Sequence, residues 1–173
     1  MSKPLLTSVL LVAAAKLQAQ APPPQVFGPD HIANVYRVSL DRGALLLESI
    51  DDVIKEKNIR DGQVMISSGS VQECTYHYVA SIARKAQNEY RTVKGPSEIL
   101  SGGGVIADGE PHIHIALSNP DRGVYGGHLE KGCRILYLAE FTVFQYAGAP
   151  LTRKANENGI LLLQKRTTGS SAR

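Results

Sequence analysis

Alternation of hydrophobic and polar residues dominates this 173-residue chain, and it predicts β-strands with one buried face. Within residues 35–40, the side chains of Tyr36, Val38 and Leu40 share one face of such a strand. The longest pattern, residues 134–146, places Ile135, Tyr137, Ala139, Phe141 and Val143 on one face. Shorter strand patterns cover residues 64–67, 71–83, 98–106 and 159–163, and the stretch Ser68-Gly69-Ser70 separates the first two of them.

One stretch has the period of an α-helix. Between residues 44 and 57, the apolar positions recur at helical spacing, at Leu46, Leu47, Ile50, Val53 and Ile54. Asp51 and Asp52 fall on the opposite side, which indicates a solvated face rather than a metal site. One principal helix beside about seven strands predicts an α+β fold with a mainly antiparallel sheet.

Gly102, Gly103 and Gly104 interrupt one of the strand patterns. Three glycines suggest a phosphate-binding loop, but neither a Gly-Lys-Ser/Thr ending nor a helix pattern follows them. We therefore expect close backbone packing or a bulge at these positions.

Three of the five histidines, His112, His114 and His128, lie in a stretch that predicts a hairpin. The first two are two residues apart, so they project from the same face of a strand. The sequence Asn-Pro-Asp-Arg-Gly that follows is typical of a turn. If Ser118 pairs with Val124 across that turn, the antiparallel register sets His114 opposite His128, with Cβ atoms about 5 Å apart.

Three neutral imidazoles at one point are typical ligands of a divalent metal, above all zinc, with an open fourth position for water or a small ligand. The alternative is that these histidines are hydrogen-bonded structural residues at a sheet or subunit surface. The carboxylates that could supply a fourth ligand or support the histidines are Glu98, Asp108, Glu110 and Glu130. His31 and His77 stand alone in the sequence, and we expect His77 to be a half-exposed strand residue.

The two cysteines, Cys74 and Cys133, do not have the spacing of a zinc-ligand pair. In an oxidising compartment they could form one disulfide. Their apolar, strand-like surroundings instead favour free, buried thiols.

The first 21 residues have the pattern of a secretory signal, with Lys3, an uncharged run over residues 4–15, and small residues at Ala19 and Ala21. The apolar run is too short to span a bilayer comfortably, and a buried N-terminal helix is the alternative. We expect an exported protein, periplasmic or secreted. Its segments would be a signal peptide over residues 1–21, a proline-rich spacer over 22–33, the domain over 34–165 and a flexible tail over 166–173.

Loss of the signal would remove Lys3 and Lys16 and so lower the net charge from +3 to +1. The remaining basic residues form small separate groups, at residues 84–85, 91 and 94, 153–154, and 165–166. Proteins that bind nucleic acid usually carry a continuous basic face. This dispersed pattern indicates an ordinary solvated surface.

The order of several motifs resembles the PPC domain, a family named for its occurrence in plants and prokaryotes. The resemblance extends from about Tyr36 to Leu163. It includes the strand and helix of residues 36–54 and ends with Glu140, Arg153 and Gly159. Between them come the motifs Asp61-Gly62, Ser68-Gly69-Ser70, Glu98-Ile99-Leu100-Ser101, Pro111-His112-Ile113-His114 and Gly126-Gly127-His128-Leu129.

This resemblance implies an antiparallel sheet flanked by a helix, assembly as a homotrimer, and metal ligands at His112, His114 and His128. In plants, the domain lies beside AT-hook motifs in nuclear DNA-binding proteins, where it mediates assembly and protein contacts. Prokaryotic members are usually the domain alone and are often labelled DNA-binding. This chain has no Arg-Gly-Arg-Pro core of an AT-hook, and it carries the export pattern.

Three hypotheses of function follow. The first is an exported, trimeric zinc protein whose three-histidine site binds or processes a small ligand. The second is a DNA-binding protein, and the third is a structural or interaction trimer without catalysis. The sequence does not decide whether the protein is an enzyme, because no motif identifies a nucleophile. Glu98 and Glu130 are the only candidates for a general base near the histidines.

Overall fold

The computed structural model describes residues 22–148 and 150–166, so the predicted signal segment and residues 167–173 of the predicted tail lie outside the described residues. The described chain forms one helix and eight strands. In chain order these are β1 (His31–Asp41), α1 (Leu46–Glu56), β2 (Asp61–Val79), β3 (Asn88–Ala107), β4 (Glu110–Asn119), β5 (Gly123–Leu129), β6 (Arg134–Ala147), β7 (Leu151–Ala155) and β8 (Leu161–Lys165).

Six strands form an antiparallel sheet in the order β1-β6-β2-β3-β4-β5, and β7 and β8 form a separate hairpin. Strand β5 also pairs with the second half of β2, at Tyr76–Leu129 and His77–His128. Strands β2 to β5 therefore close on themselves. The α+β prediction with a mainly antiparallel sheet is confirmed. No helix in the described residues has the length and apolar character needed to cross a membrane.

Helix α1 covers the inner face of the sheet, as its apolar stripe predicts. Leu46 and Ile50 are fully buried and Ile54 is nearly so, whereas the acidic pair of the helix stays on the outside of this contact. Each such aliphatic side chain contributes roughly 1.5–3 kcal/mol through burial. The helix also holds the chain beyond β5, because the carboxylate of Glu48 accepts a hydrogen bond from the backbone N–H of Gly132 at 3.0 Å.

Strand β2 is continuous, so the predicted break at Ser68-Gly69-Ser70 is wrong. The chain absorbs this stretch as bulges, because the register against β6 shifts three times between Ile66 and Glu73. Gly69 has a φ of +146°, and a Cβ at this position would lie 2.7 Å from the Cα of Ala139. A glycine is therefore needed where β2 bends across β6.

The same irregularity separates Tyr137 from the face on which the sequence pattern places it with Ile135 and Ala139, so this part of the predicted strand is wrong. As β2 advances from Gly69 to Val71, its partner in β6 changes from Ala139 to Ile135. The residues between these partners leave the regular pleat, and Tyr137 is 65% exposed.

Several other boundaries also differ from the sequence prediction. Strand β3 extends back to Asn88, and β1 begins at His31, inside the stretch expected to be a spacer. Strand β7 has no counterpart in the prediction, and its partner β8 begins at Leu161. Arg166, expected in the tail, donates its backbone N–H to the carbonyl of Pro150 at 2.7 Å.

The close packing expected at the glycine triplet is confirmed. A Cβ on Gly104 would lie 1.8 Å from the carbonyl oxygen of His112, and one on Gly103 would lie 2.6 Å from that of Val64. Neither contact is sterically possible. The absence of side chains in β3 therefore lets β2 and β4 approach it at this point.

Cys74 and Cys133 are joined by a disulfide, so the expectation of free thiols is wrong. Both residues are fully buried in apolar surroundings, as the sequence suggests. The pairing of Glu73 with Arg134 at the edge of the β2–β6 ladder sets the two cysteines opposite each other. The local sequence thus predicts that the cysteines are buried, but the disulfide follows only from the register between the distant strands β2 and β6.

We expect removal of this disulfide to lower the free energy of unfolding by about 2–4 kcal/mol, because it closes a loop between residues that are 59 positions apart. Urea unfolding of the Cys74→Ser, Cys133→Ser double variant, compared with the oxidised wild type, measures the loss. Dithiothreitol should destabilise only the wild type, because the double variant has no disulfide to reduce. The variant is therefore the control for other effects of the reductant. An equal effect of dithiothreitol on both proteins would contradict the prediction.

Candidate metal centre

The predicted register of the histidine hairpin is confirmed. Ser118 pairs with Val124, and His114 pairs with His128. His112 and His114 lie on the outer face of the sheet, whereas Ile113 is buried on the inner face. Glycines in the neighbouring strands allow this arrangement, because a Cβ on Gly127 would lie only 2.2 Å from the carbonyl oxygen of His77.

The structure brings the three predicted histidines together. The Nε2 atoms of His112 and His114 are 3.3 Å apart. The ring of His128 is centred 4.7 Å from that of His112 and 5.5 Å from that of His114, and it stands nearly perpendicular to the first. The three imidazoles therefore converge on a single patch.

His77 joins this patch, so its description as an isolated histidine is wrong. Its ring stacks on that of His128 with 4.5 Å between centroids and an angle of 18°. The pairing of β2 with β5 sets the two residues opposite each other. No local pattern in the sequence carries this information, because the two residues belong to strands that are distant in the chain. We call His77, His112, His114 and His128 the histidine cluster.

The carboxylate of Glu130 lies at the edge of the histidine cluster. Its carboxylate oxygen lies 2.6 Å from Nδ1 of His77 and 3.4 Å from Nδ1 of His128. A carboxylate only accepts hydrogen bonds, so His77 donates the proton on Nδ1 and keeps a free lone pair on Nε2. Glu130 was one of the carboxylates expected to support the histidines, and it is the one that reaches them.

Within the described residues, the other three carboxylates form no hydrogen bond or ion pair with these histidines. Asp108 pairs with Arg60 and Arg166. Glu98 pairs with Ser118 in the β3–β4 ladder and lines a separate cleft near the tip of the hairpin. Glu110 lines a groove beside helix α1 and also a cleft that reaches His112 and His128.

The Nδ1 atom of His128 is buried and has no hydrogen-bond partner among the residues that the structure describes. Glu130 is near it but does not meet the geometry of a hydrogen bond. Buried polar atoms are nearly always satisfied, so this atom needs an additional partner. An imidazole nitrogen beside other imidazoles and a carboxylate is suited to a metal ion.

His112 and His128 favour the neutral form that a metal requires. Partial burial lowers the pKa of His112 to about 4, and the nearby charges of His128 and Arg153 act in the same direction. Burial and the neighbouring His77 also lower the pKa of His128, although Glu130 opposes this effect. At neutral pH these rings are therefore unprotonated and can donate lone pairs.

Two overlapping sets of donors share His128. His77, His128 and Glu130 offer atoms that all lie within 4.8 Å of one another. The second set, His112, His114 and His128, is less compact, because the first is the one group of three in the described residues whose donor atoms all come this close. The first would be a site of two histidines and one carboxylate, and the second a site of three histidines. His128 is therefore the ring on which either set depends.

A family model of the Plants and Prokaryotes Conserved (PCC) domain matches residues 29–147. Among curated proteins, bifunctional protein GlmU of Synechococcus sp. (strain JA-3-3Ab) is 26% identical over 115 residues. This stretch is 66% of the present chain, and the chain spans only 18% of the length of that relative.

Solved structures show the same fold. A metal-containing protein from Archaeoglobus fulgidus is 26% identical and has a TM-score of 0.68, with coverage of 82% of this chain and 100% of that one. A plant- and prokaryote-conserved protein from Pyrococcus horikoshii is 24% identical with a TM-score of 0.67, covering 83% and 99%. A candidate DNA-binding protein from Bacteroides thetaiotaomicron is 23% identical with a TM-score of 0.68, covering 78% and 94%.

We expect the metal-free protein to lose stability as the pH falls from about 6.5 towards 4. The folded state lowers the pKa of His112 and His128, so the unfolded chain binds more protons in this interval, and proton uptake favours unfolding. Urea unfolding at pH 7.5 and 4.5 measures the loss. The His112→Gln, His128→Gln variant retains the other titrating groups and should show a smaller loss. An equal loss in both proteins would contradict this assignment.

Proposed function

Since the chain belongs to the Plants and Prokaryotes Conserved (PCC) domain family, we propose that it is a metal-binding member whose histidine cluster holds one divalent ion. The observation that carries this proposal is the buried, unpartnered Nδ1 atom of His128 among imidazoles that favour the neutral form. The metal-containing protein from Archaeoglobus fulgidus, which has the same fold, supports it.

Zinc is the metal that this set of donors favours most. Imidazole nitrogens and a carboxylate are common zinc ligands, and three protein ligands leave one position open. When bound, the ion would polarise an oxygen of a ligand or lower the pKa of a bound water. The role of the chain itself is to fix the rings, since Glu130 accepts the Nδ1 proton of His77 and thereby orients that ring.

We propose that the site binds a small ligand. If the protein is an enzyme, the same site would convert that ligand. Glu130 is the nearest candidate for a general base, because its carboxylate lies at the edge of the histidine cluster. Its hydrogen bond to His77 also gives it a structural role. A site that binds metal but no ligand would instead support a structural or interaction module.

Export is also part of the proposal. The N-terminal signal pattern supports it. The disulfide between Cys74 and Cys133 supports it independently, because such bonds persist mainly in oxidising compartments.

Self-association, proposed as a homotrimer, is supported by the outer face of the sheet. Val35, Met65 and Val105 lie on this face and are 52%, 46% and 37% exposed. Val105 pairs with His112, so the apolar surface is continuous with the histidine cluster. An exposed apolar patch of this kind is typical of a surface that a partner covers.

DNA binding is the alternative function. The names of fold neighbours such as the Bacteroides thetaiotaomicron protein suggest it, but their identity to this chain supports the fold alone. It would require an affinity for duplex DNA that falls steeply as salt concentration increases. Retention by a DNA duplex at low salt, in a protein without bound metal, would favour this alternative over the metal proposal.

We expect the purified protein, after zinc loading and dialysis, to retain about one ion per chain. The His128→Ala variant should lose nearly all of it, because His128 belongs to both sets of donors. The His31→Ala variant is the matched control, since His31 is exposed on β1 and outside the cluster. Inductively coupled plasma mass spectrometry measures the content.

Two further variants identify the set of ligands. Loss of metal in His114→Ala with retention in His77→Ala would indicate the three-histidine site, and the reverse would indicate the site that contains Glu130. A wild type without stoichiometric metal, or full retention in His128→Ala, would refute the proposed metal centre.

We expect sedimentation velocity to give the mass of three chains for the wild type. The Met65→Glu variant should be a monomer, because it places a charge on the exposed apolar face. Ile82→Glu is the control, as Ile82 is fully exposed in the segment between β2 and β3. A monomeric wild type, or a trimeric Met65→Glu variant, would contradict this assignment of the interface.

A further inference from the structure

A cleft of about 410 Å³ lies beside the histidine cluster. His112 and His128 form one part of its wall, and Thr152, Arg153 and Leu161 of the β7–β8 hairpin form another. The hairpin is outside the main sheet, so the cleft exists because these two parts of the chain meet. A ligand in the cleft would contact both the cluster and Arg153.

Arg153 is held in place by the backbone. One terminal nitrogen of its guanidinium donates to the carbonyl oxygen of Glu110 at 3.2 Å, and the other donates to that of Val105 at 3.0 Å. These bonds use two of the five N–H groups of the side chain and fix its plane. Three N–H groups remain for another partner, and their direction is set before any ligand arrives.

The positive charge of Arg153 is not balanced by a neighbouring carboxylate. No carboxylate within residues 22–148 and 150–166 forms an ion pair with it. Asp108, which also lines the cleft, already binds Arg60 and Arg166. Glu110 also lines the cleft, but its carboxylate forms no ion pair with Arg153. A partly buried arginine without a counter-ion lining a cleft is a favourable partner for an anion.

The histidines add no negative charge to oppose such a ligand. An imidazole is either neutral or positive, so His112 and His128 in the wall of the cleft do not repel an anion. Burial lowers the pKa of Arg153, but a guanidinium remains protonated. Arg153 thus supplies the cleft with a cationic side chain that no carboxylate pairs in the part of the chain that the structure describes. A divalent ion in the cluster would add to the attraction for anions.

We infer that this cleft binds a small organic oxyanion, with one oxygen directed to the metal centre and another bound by Arg153. The fork of an arginine matches the oxygens of a carboxylate or a phosphate. Leu161 and Pro111 provide apolar wall for the carbon skeleton of such a ligand. This inference rests on the proposed metal centre and specifies the class of ligand that the centre accepts.

The test uses the full-length protein loaded with cobalt(II), whose visible spectrum reports changes at the metal. Acetate and inorganic phosphate are titrated at constant ionic strength, and acetamide serves as the neutral analogue of acetate. We compare the wild type with Arg153→Gln and with Lys154→Gln. Lys154 is the next residue of β7 and is exposed, so this control removes the same charge without affecting the cleft.

We expect at least one of the two anions to bind the wild type and Lys154→Gln with equal affinity. Arg153→Gln should bind it at least about tenfold more weakly, because it loses the charged fork. Acetamide should not change the spectrum of any of the three proteins. The Arg153→Lys variant retains the charge without the fork and should be weakened to an intermediate degree, and it serves if Arg153→Gln does not fold by circular dichroism.

The two possible failures can be told apart by first measuring the cobalt content. A wild type that takes up no cobalt refutes the metal centre, and with it this inference. A wild type that binds one cobalt ion per chain, but binds neither anion, refutes the inference alone. Equal affinity of the wild type and the Arg153 variants for an anion refutes it as well.

Discussion

The pairing of β5 with the second half of β2 is the constraint on which the rest of the site depends. It involves only two pairs of residues, Tyr76–Leu129 and His77–His128. It closes strands β2 to β5 on themselves and sets two histidines against each other. Gly127 makes the approach possible, since any side chain there would collide with the backbone of β2. Without this contact, His77 would be separate from the hairpin, and the cluster would lose one of its four histidines and the hydrogen bond between His77 and Glu130.

The division of the sheet into two faces gives the histidines their environment. The inner face packs against helix α1 and contains the aliphatic core. The outer face carries His112 and His114 opposite strand positions that hold a glycine or a small hydrophobic residue, Gly103 and Val105. Imidazoles on such a face are partly removed from water without being enclosed. This state lowers the pKa of His112 and yet leaves the ring accessible to a ligand.

The sequence predicts contacts between residues that are close along the chain better than contacts between residues that are distant along it. The facing of His114 and His128 could be derived because a tight turn transmits the register between adjacent strands. The helix could be derived from its own periodicity. The contact of His77 with Glu130 could not, because the two residues are 53 positions apart and meet only after non-consecutive strands pair. The sequence favoured free thiols over the disulfide for the same reason, since Cys74 and Cys133 are 59 positions apart. Both cysteines were correctly expected to be buried.

The disulfide has a consequence for how the cluster assembles. Cys74 precedes His77 by three residues, and Cys133 follows Glu130 by three. Once the bond has formed, the path from His77 to Glu130 runs through these short segments, even in an unfolded chain. The entropic cost of closing that loop is then set by a handful of residues instead of 53. The effective concentration of His77 around Glu130 is correspondingly high before the sheet has formed. Oxidation of the cysteines thus keeps His77 and Glu130 near each other before the strands that carry them have paired.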